Sequence, residues 1–405
     1  MTLPGAAPAK PPSATGVSAA AAASLLEGWI ALAREWAGTS CLALIVSGSH
    51  ARGDAVWAAP AGRPVSLSDL DLYAVVPGRA ARRAARRRAA AGRTGLARRL
   101  EALGLAGAFE VAFLTPRDLA TLPARPGTLE LKRHGRVLTG DPAWLARVPD
   151  WSARDVSAEE ALLLLENRAF ELLDAWPGHD REGNLARLAA RHAVLKTALD
   201  LAGVACLAAG EYPDDAAARV AHARTRGPWD PEPPWEAALA WRAGRVVPLP
   251  HAEAGREWEA TAAAWVALWR DRVTARTGTA PMRGDARGGA WATARAAARR
   301  ASLKRRARQA LFFRARSGAG PGLLERARFW ARGTPQHRLG ASAAVLLAHA
   351  TSAGPEHRPA RAGWRDAMVW LGVVRQPGEP EGVARELVRI WDRWVLDGQR
   401  TAEAR

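Results

Sequence analysis

Two aspartates, Asp69 and Asp71, sit in the apolar run DLDLYAVV at 69–76. Side chains alternate along a β-strand, so both carboxylates fall on one face while Leu70 and Leu72 point into a core. Like charges at that spacing repel unless a cation lies between them. A divalent metal, bound through oxygen and shared with substrate phosphates, suits that position. Glu110 lies in a further apolar run, AFEVAFL at 108–114. Phe109, Val111 and Phe113 share one strand face, leaving Glu110 on the other, where an acid is costly unless it is paired or bound to metal. Upstream, the run CLALIV at 41–46 ends in Ser47-Gly48-Ser49, with a helix expected around His50–Arg52. A glycine at such a turn lets backbone approach a ligand, and free N–H groups at a helix start bind anions. Phosphate at the Gly-Ser turn and metal at three acids is the apparatus of phosphoryl or nucleotidyl transfer.

These residues need elements to hold them. Residues 1–17 are rich in Pro and Ala and are expected to form a disordered tail. Residues 18–38 form a helix with Leu25, Trp29, Leu32 and Trp36 on one face. Strands are expected at 41–46, 69–76 and 108–114, and a very basic helix at 79–103 that breaks near Gly92. TLELKRHGRVLTG at 128–140 predicts short strands around a turn at His134-Gly135. Strands alternating with helices indicate an α/β domain over 18–148. From Ser157 the pattern is helical: 158–176, 183–210 and a further helix after Glu211-Tyr-Pro-Asp-Asp. A Pro-rich linker at 226–235 separates this second unit, 157–225, from a further helical region, 236–405.

The chain of 405 residues carries a net charge of +18, yet only Lys10, Lys132, Lys196 and Lys304 are lysine. Heavy Arg and Ala usage accounts for much of that charge as composition, and the scarcity of lysine makes each lysine more informative. The two cysteines, Cys41 and Cys206, lie in apolar runs and can build neither a disulfide framework nor a zinc site. With no stretch of about 18 uncharged apolar residues and no signal-like start, a cytoplasmic protein without membrane association is expected.

GSHARG followed by SDLDLYAVV resembles the DNA-polymerase-beta-like nucleotidyltransferase superfamily. Its pattern is Gly-Ser, a spacer, Asp-x-Asp on a strand and one later acid on another strand. The resemblance covers about residues 20–148. The segment RLAARHAVLKTALDLAGVACLAAGEYPDDAAAR is similar to the helical domain of small nucleotidyltransferases of the aminoglycoside-modifying kind. It implies an α+β fold: a catalytic domain with a short mixed sheet, then an all-α region whose 157–225 part closes the cleft. It also implies that Gly48 and Ser49 hold a triphosphate; Arg52, three residues on, could meet phosphate as a further nucleotide contact or face only solvent. Asp69, Asp71 and Glu110 would hold two Mg2+ ions, or Mn2+, and Lys196 would reach the phosphates from the second domain. The implied reaction moves a nucleoside monophosphate from an NTP to a hydroxyl of a small molecule or protein. Two features depart from the pattern: 19 residues separate Ser49 from Asp69, and the third acid is Glu. The extra stretch, AAPAGRPVS, reads as a hairpin tip.

Other readings compete. Lys196 and Asp200, four apart on a helix, could pair with each other. Glu166-Asn167-Arg168 interrupts an apolar helix and could face either the cleft or solvent. Arg187 and His192 fit the Arg-x4-His spacing of helical ribonucleases; separately, the chain could be a non-catalytic or toxin–antitoxin-like binding protein whose helical part is the functional module. Asp-x-Asp also serves sugar transferases, although these usually begin with a nucleotide-binding unit well upstream. The basic stretch 283–316 could bind nucleic acid, or it could be a solvated face.

Overall fold

In the computed structural model, which describes residues 17–92, 95–177, 179, 181–277, 335–352 and 380–391, an α+β chain builds one mixed sheet and then continues as helices. Helix α1 (Ala19–Ala37) starts where the Ser18 side chain accepts the Ala21 N–H, and it ends at Gly38, whose φ is 81°. It buries Trp29, Leu32 and Trp36, the face expected from their spacing. Residues 1–16 of the expected tail lie outside the described residues, whereas Val17 is buried in the core.

Next come β1 (Ala43–Ser47), α2 (Gly48–Arg52), β2 (Trp57–Ala58), β3 (Val65–Ser66) and β4 (Leu70–Val75). They are followed by α3 (Arg79–Ala91), α4 (Leu96–Ala102), β5 (Phe109–Leu114), α5 (Pro116–Ala120), α6 (Pro126–His134) and β6 (Arg136–Gly140). The four-stranded sheet runs β5-β4-β1-β6, with β1 antiparallel to both neighbours and β4 parallel to β5. Central β1 is buried at every position, as a strand covered on both faces must be. Leu44, Val46, Leu70 and Leu72 pack with α1 and α3 on one face; Ile45, Val75, Leu119 and Leu131 pack together on the other.

The basic stretch 79–103 divides into α3 and α4 at Gly92, as expected. Part of its charge is structural: the Arg88 guanidinium donates to the carbonyls of Trp36 (2.9 Å) and Ala37 (2.6 Å), satisfying the open end of α1. Of the short strands expected over 128–140, residues 136–140 form β6, whereas 128–134 lie in the helix α6. Leu129 and Leu131 alternate with polar residues because the helix is buried on two sides. Leu129 enters a core with Val156 and Leu207, while Leu131 enters the sheet core. Pro126 pre-sets the backbone of its first turn.

The helical part comprises α7 (Ala158–Asp174), α8 (Asn184–Ala208), α9 (Ala216–Arg224), α10 (Trp235–Arg242) and α11 (His251–Thr277), then helices Pro335–Ser352 and Pro380–Trp391. Leu165 and Leu172 of α7, Val204 of α8, Trp265 of α11, and Leu347 and Leu387 of the last two helices share one core. The Pro-rich segment 226–235 therefore does not divide the packing, because α10 returns to α8, where the Trp235 indole donates to the Ala198 carbonyl at 2.8 Å. The basic stretch 283–316 lies outside the described residues. Among the described residues, no helix is long and apolar enough to cross a membrane.

The long spacer between Ser49 and Asp69 forms the β2–β3 hairpin. Val56, Ala58 and Leu67 pack into a core with Leu195, Leu199, Trp235 and Trp241, so the hairpin bonds the sheet to α8 and α10.

Candidate active site

Strand register brings the chemistry together. Ser47 at the end of β1 lies opposite Asp71 on β4, and Asp71 lies opposite Glu110 on β5. The Gly-Ser turn and two of the acids thus meet at one end of the sheet. Gly48 has φ 67°, and a Cβ there would stand 2.8 Å from Asp71 Oδ2. The carboxylate rests against the turn, and only glycine leaves room for it in that backbone conformation.

Asp69 lies one residue before β4. Its Oδ1 accepts the Ala108 N–H at 2.8 Å. That approach depends on Gly107, where a Cβ would collide with the Ser68 carbonyl oxygen at 2.4 Å. The other Asp69 oxygen is bound by the ammonium of Lys196, which crosses from α8 and also lies 3.4 Å from Glu171 Oε1. Lys196 thus reaches the acid site instead of its helix neighbour Asp200, which is taken by Arg168 of α7. Arg168 pairs with Glu171 as well, so this residue of the polar break in α7 faces the cleft, whereas Glu166 is buried against Gly340.

The acids sit in opposite electrostatic states. Burial pushes the Asp69 carboxyl up, but the Lys196 ammonium and the Ala108 N–H outweigh it and hold the group well below the usual carboxylate range. Asp71 is pushed up to about 7 by burial and by the carboxylates of Asp69 and Glu110, against which Lys196 and Arg168 offer only partial relief. A half-buried carboxylate with unmet negative charge beside it, offered only oxygen donors, fits a hard divalent cation such as Mg2+ or Mn2+. As they stand, with Asp69 engaged by Lys196, no three His, Cys, Asp or Glu side chains among the described residues converge closely enough to grip a metal ion. Glu110 is exposed.

The remaining expected contacts differ among themselves. Ser49 is half-buried at the start of α2; its carbonyl accepts the Asp54 N–H at 3.1 Å, and its hydroxyl bonds to no protein group among the described residues. Arg52 is not grouped with the acids. Its Nε lies 3.2 Å from Asp54, and its guanidinium also pairs with Glu130 of α6. Arg242 of α10 joins Asp54 at 3.1 Å, so these charges tie the sheet to the helices. The rival Arg187–His192 pair is engaged elsewhere: Arg187 donates to Asn184 Oδ1 at 3.1 Å, and His192 Nδ1 accepts the Trp241 indole N–H at 3.1 Å. Burial and the nearby Lys196 lower the His192 pKa to about 3, so the ring is neutral.

Sequence reasoning missed Gly107 and Glu171. The available signal was periodicity, since His192, Lys196 and Asp200 recur every fourth residue on α8 and Arg168 and Glu171 lie three apart on α7.

Gly48→Ala should cost about 1–2 kcal/mol from the left-handed backbone alone, with more from the displaced Asp71, and should abolish any metal-dependent nucleotide response. Urea unfolding of wild type and variant measures the first; an unchanged midpoint would mean that the turn relaxes freely. Comparison with family models, with curated proteins and with solved structures found no match to this chain.

Proposed function

We propose that this chain is a metal-dependent nucleotidyltransferase that moves a nucleoside monophosphate from an NTP to a hydroxyl acceptor on a small molecule or protein, releasing pyrophosphate. The observation that carries the reading is the register that sets Asp71 between the Gly48 turn and Glu110, with Asp69 beside it and Lys196 reaching in from the opposite wall. Two divalent cations held by Asp69, Asp71 and Glu110 would neutralise the triphosphate and the leaving pyrophosphate and acidify the acceptor hydroxyl.

The chain's own residues supply the rest. The backbone N–H groups at Gly48–Ser49 and the Ser49 hydroxyl bind phosphate oxygens at close approach. Lys196 offers a cation on the far side of the cleft, and Arg168 holds Glu171 and Asp200 around it. Glu110, exposed where an acceptor can enter, takes the hydroxyl proton as the acceptor oxygen attacks the α-phosphorus and the bond to the β-phosphate oxygen breaks.

The test is thermal unfolding with ATP, GTP, CTP or UTP, with and without Mg2+, on wild type and Asp69→Asn/Asp71→Asn. A nucleotide at 100 times its Kd adds about 2.7 kcal/mol, a midpoint rise of a few degrees. The rise should need Mg2+ and vanish in the double variant. If no nucleotide shifts the wild type, the proposal fails.

A further inference from the structure

On the side of α8 turned away from the acids, a second cavity of about 470 Å3 opens between the end of α7, α8 and the start of α11. We propose that it binds a small organic anion with a flat apolar body, an aryl carboxylate or aryl phosphate ester, independently of the nucleotide cleft.

Its volume lies within the range of small-molecule sites. One wall is aromatic: Trp176 and Trp258 meet with ring centroids 4.9 Å apart, and Val194 and Leu249 extend the apolar surface. The Trp258 indole N–H is already spent on the Leu172 carbonyl at 2.8 Å, which leaves its ring as an apolar contact.

Among the described residues the lining carries three guanidiniums, Arg181, Arg187 and Arg191, and one carboxylate, Glu257, with His179 and His251 beside them. Arg191 is engaged at all three nitrogens: it grips Glu257 through two bonds of 2.8 Å, donates to the Val247 carbonyl and stacks on Trp241. Arg187 makes one hydrogen bond among the described residues, to the neutral amide of Asn184. Arg181 Nε is buried without an acceptor among the described residues, and Arg181 Nη2 lies 3.9 Å from Asp174 Oδ2, on a side chain that is largely exposed. A buried N–H left unpaired costs free energy that an anion would recover. Two under-used guanidiniums beside a tryptophan wall fit an aryl anion: the ring takes the indoles, and the charged head takes Arg181 and Arg187.

Calorimetry on the full chain, with naphthoate, naphthyl phosphate and the neutral naphthylmethanol, tests the assignment. Both anions should bind more tightly than the alcohol. Arg181→Met and Arg187→Met should each weaken the anions roughly tenfold and leave the alcohol unchanged, with unfolding midpoints showing that the variants fold. The tighter anion identifies the headgroup the cavity takes. Asp69→Asn/Asp71→Asn should bind naphthoate as the wild type does, whether or not it responds to nucleotides. The assignment is overturned if the alcohol binds as well as the anions, if none binds at millimolar concentration, if the arginine variants bind unchanged, or if magnesium-ATP displaces the anion.

Discussion

Without divalent cations at pH 8, Asp71→Asn should unfold at a higher denaturant concentration than the wild type, even though it removes a residue proposed to hold the metal. The wild-type carboxyl has a pKa near 3.8 when unfolded and about 7 in the fold, raised by burial and by Asp69 and Glu110. Between those values the folded state holds a proton that the unfolded state has lost. Stability from this group is therefore full below about pH 4 and falls as pH rises towards 7. A raised carboxylate of this kind removes on the order of 2–4 kcal/mol by pH 8. The neutral amide of Asn escapes that loss at nearly the same size. The gain should shrink as pH is lowered and disappear near pH 4. Saturating Mg2+ should stabilise the wild type and not the variant, closing the gap from the other side. Urea titrations from pH 4 to 8 measure all of this. A wild type as stable as Asp71→Asn at pH 8 would show that Asp71 is not strained by its neighbours, and would remove the electrostatic case for a cation there.

The sequence is most legible where one period and one core act alone. The alternation in 69–76 places Leu70 and Leu72 in the core and the two acids opposite, as the structure has them. The α1 face is legible for the same reason. Residues 128–134 were not, because Leu129 and Leu131, two positions apart, enter different cores on two sides of one helix and so mimic the alternation of a strand. Long-range choices of polar partner were also hidden. Periodicity gives the i,i+4 neighbour of Lys196, but which acid it takes depends on Arg168 claiming Asp200 first. Likewise, Arg52 reads as a free cation near a phosphate turn until Glu130 of α6 and Asp54 enclose it. The spacer hairpin was visible as a hairpin. Its docking on α8 and α10 was not, since Val56, Ala58 and Leu67 are too few to show a pattern of their own.

Lys196→Met should destabilise the metal-free protein at neutral pH and weaken nucleotide binding, two losses with separable causes. The ammonium is the strongest of the groups that keep Asp69 ionised beside Asp71. Removing one partner of a buried ion pair leaves the other charge uncompensated, a loss of about 3–5 kcal/mol when burial is complete. The Asp69 side chain is 33% exposed, so solvent screening reduces the expected loss to about 2–3 kcal/mol. Because the wild-type Asp69 pKa is depressed, the stability it contributes is present above about pH 4 and fades as pH falls below it. The difference between wild type and Lys196→Met should fade in the same window. In an Asp69→Asn background the substitution should cost almost nothing, since the charge it leaves behind is gone. Saturating Mg2+ should restore most of the stability of Lys196→Met, with a divalent ion standing where the ammonium stood. It should not restore nucleotide affinity, which falls roughly tenfold if Lys196 donates to a phosphate oxygen. A double-mutant cycle by urea unfolding, with and without Mg2+, separates these effects. If Lys196→Met is equally costly in the Asp69→Asn background, Lys196 is held by Glu171, and Asp69 is not its principal partner. The lysine would then brace the helical unit, and the two walls of the cleft would not be coupled through charge.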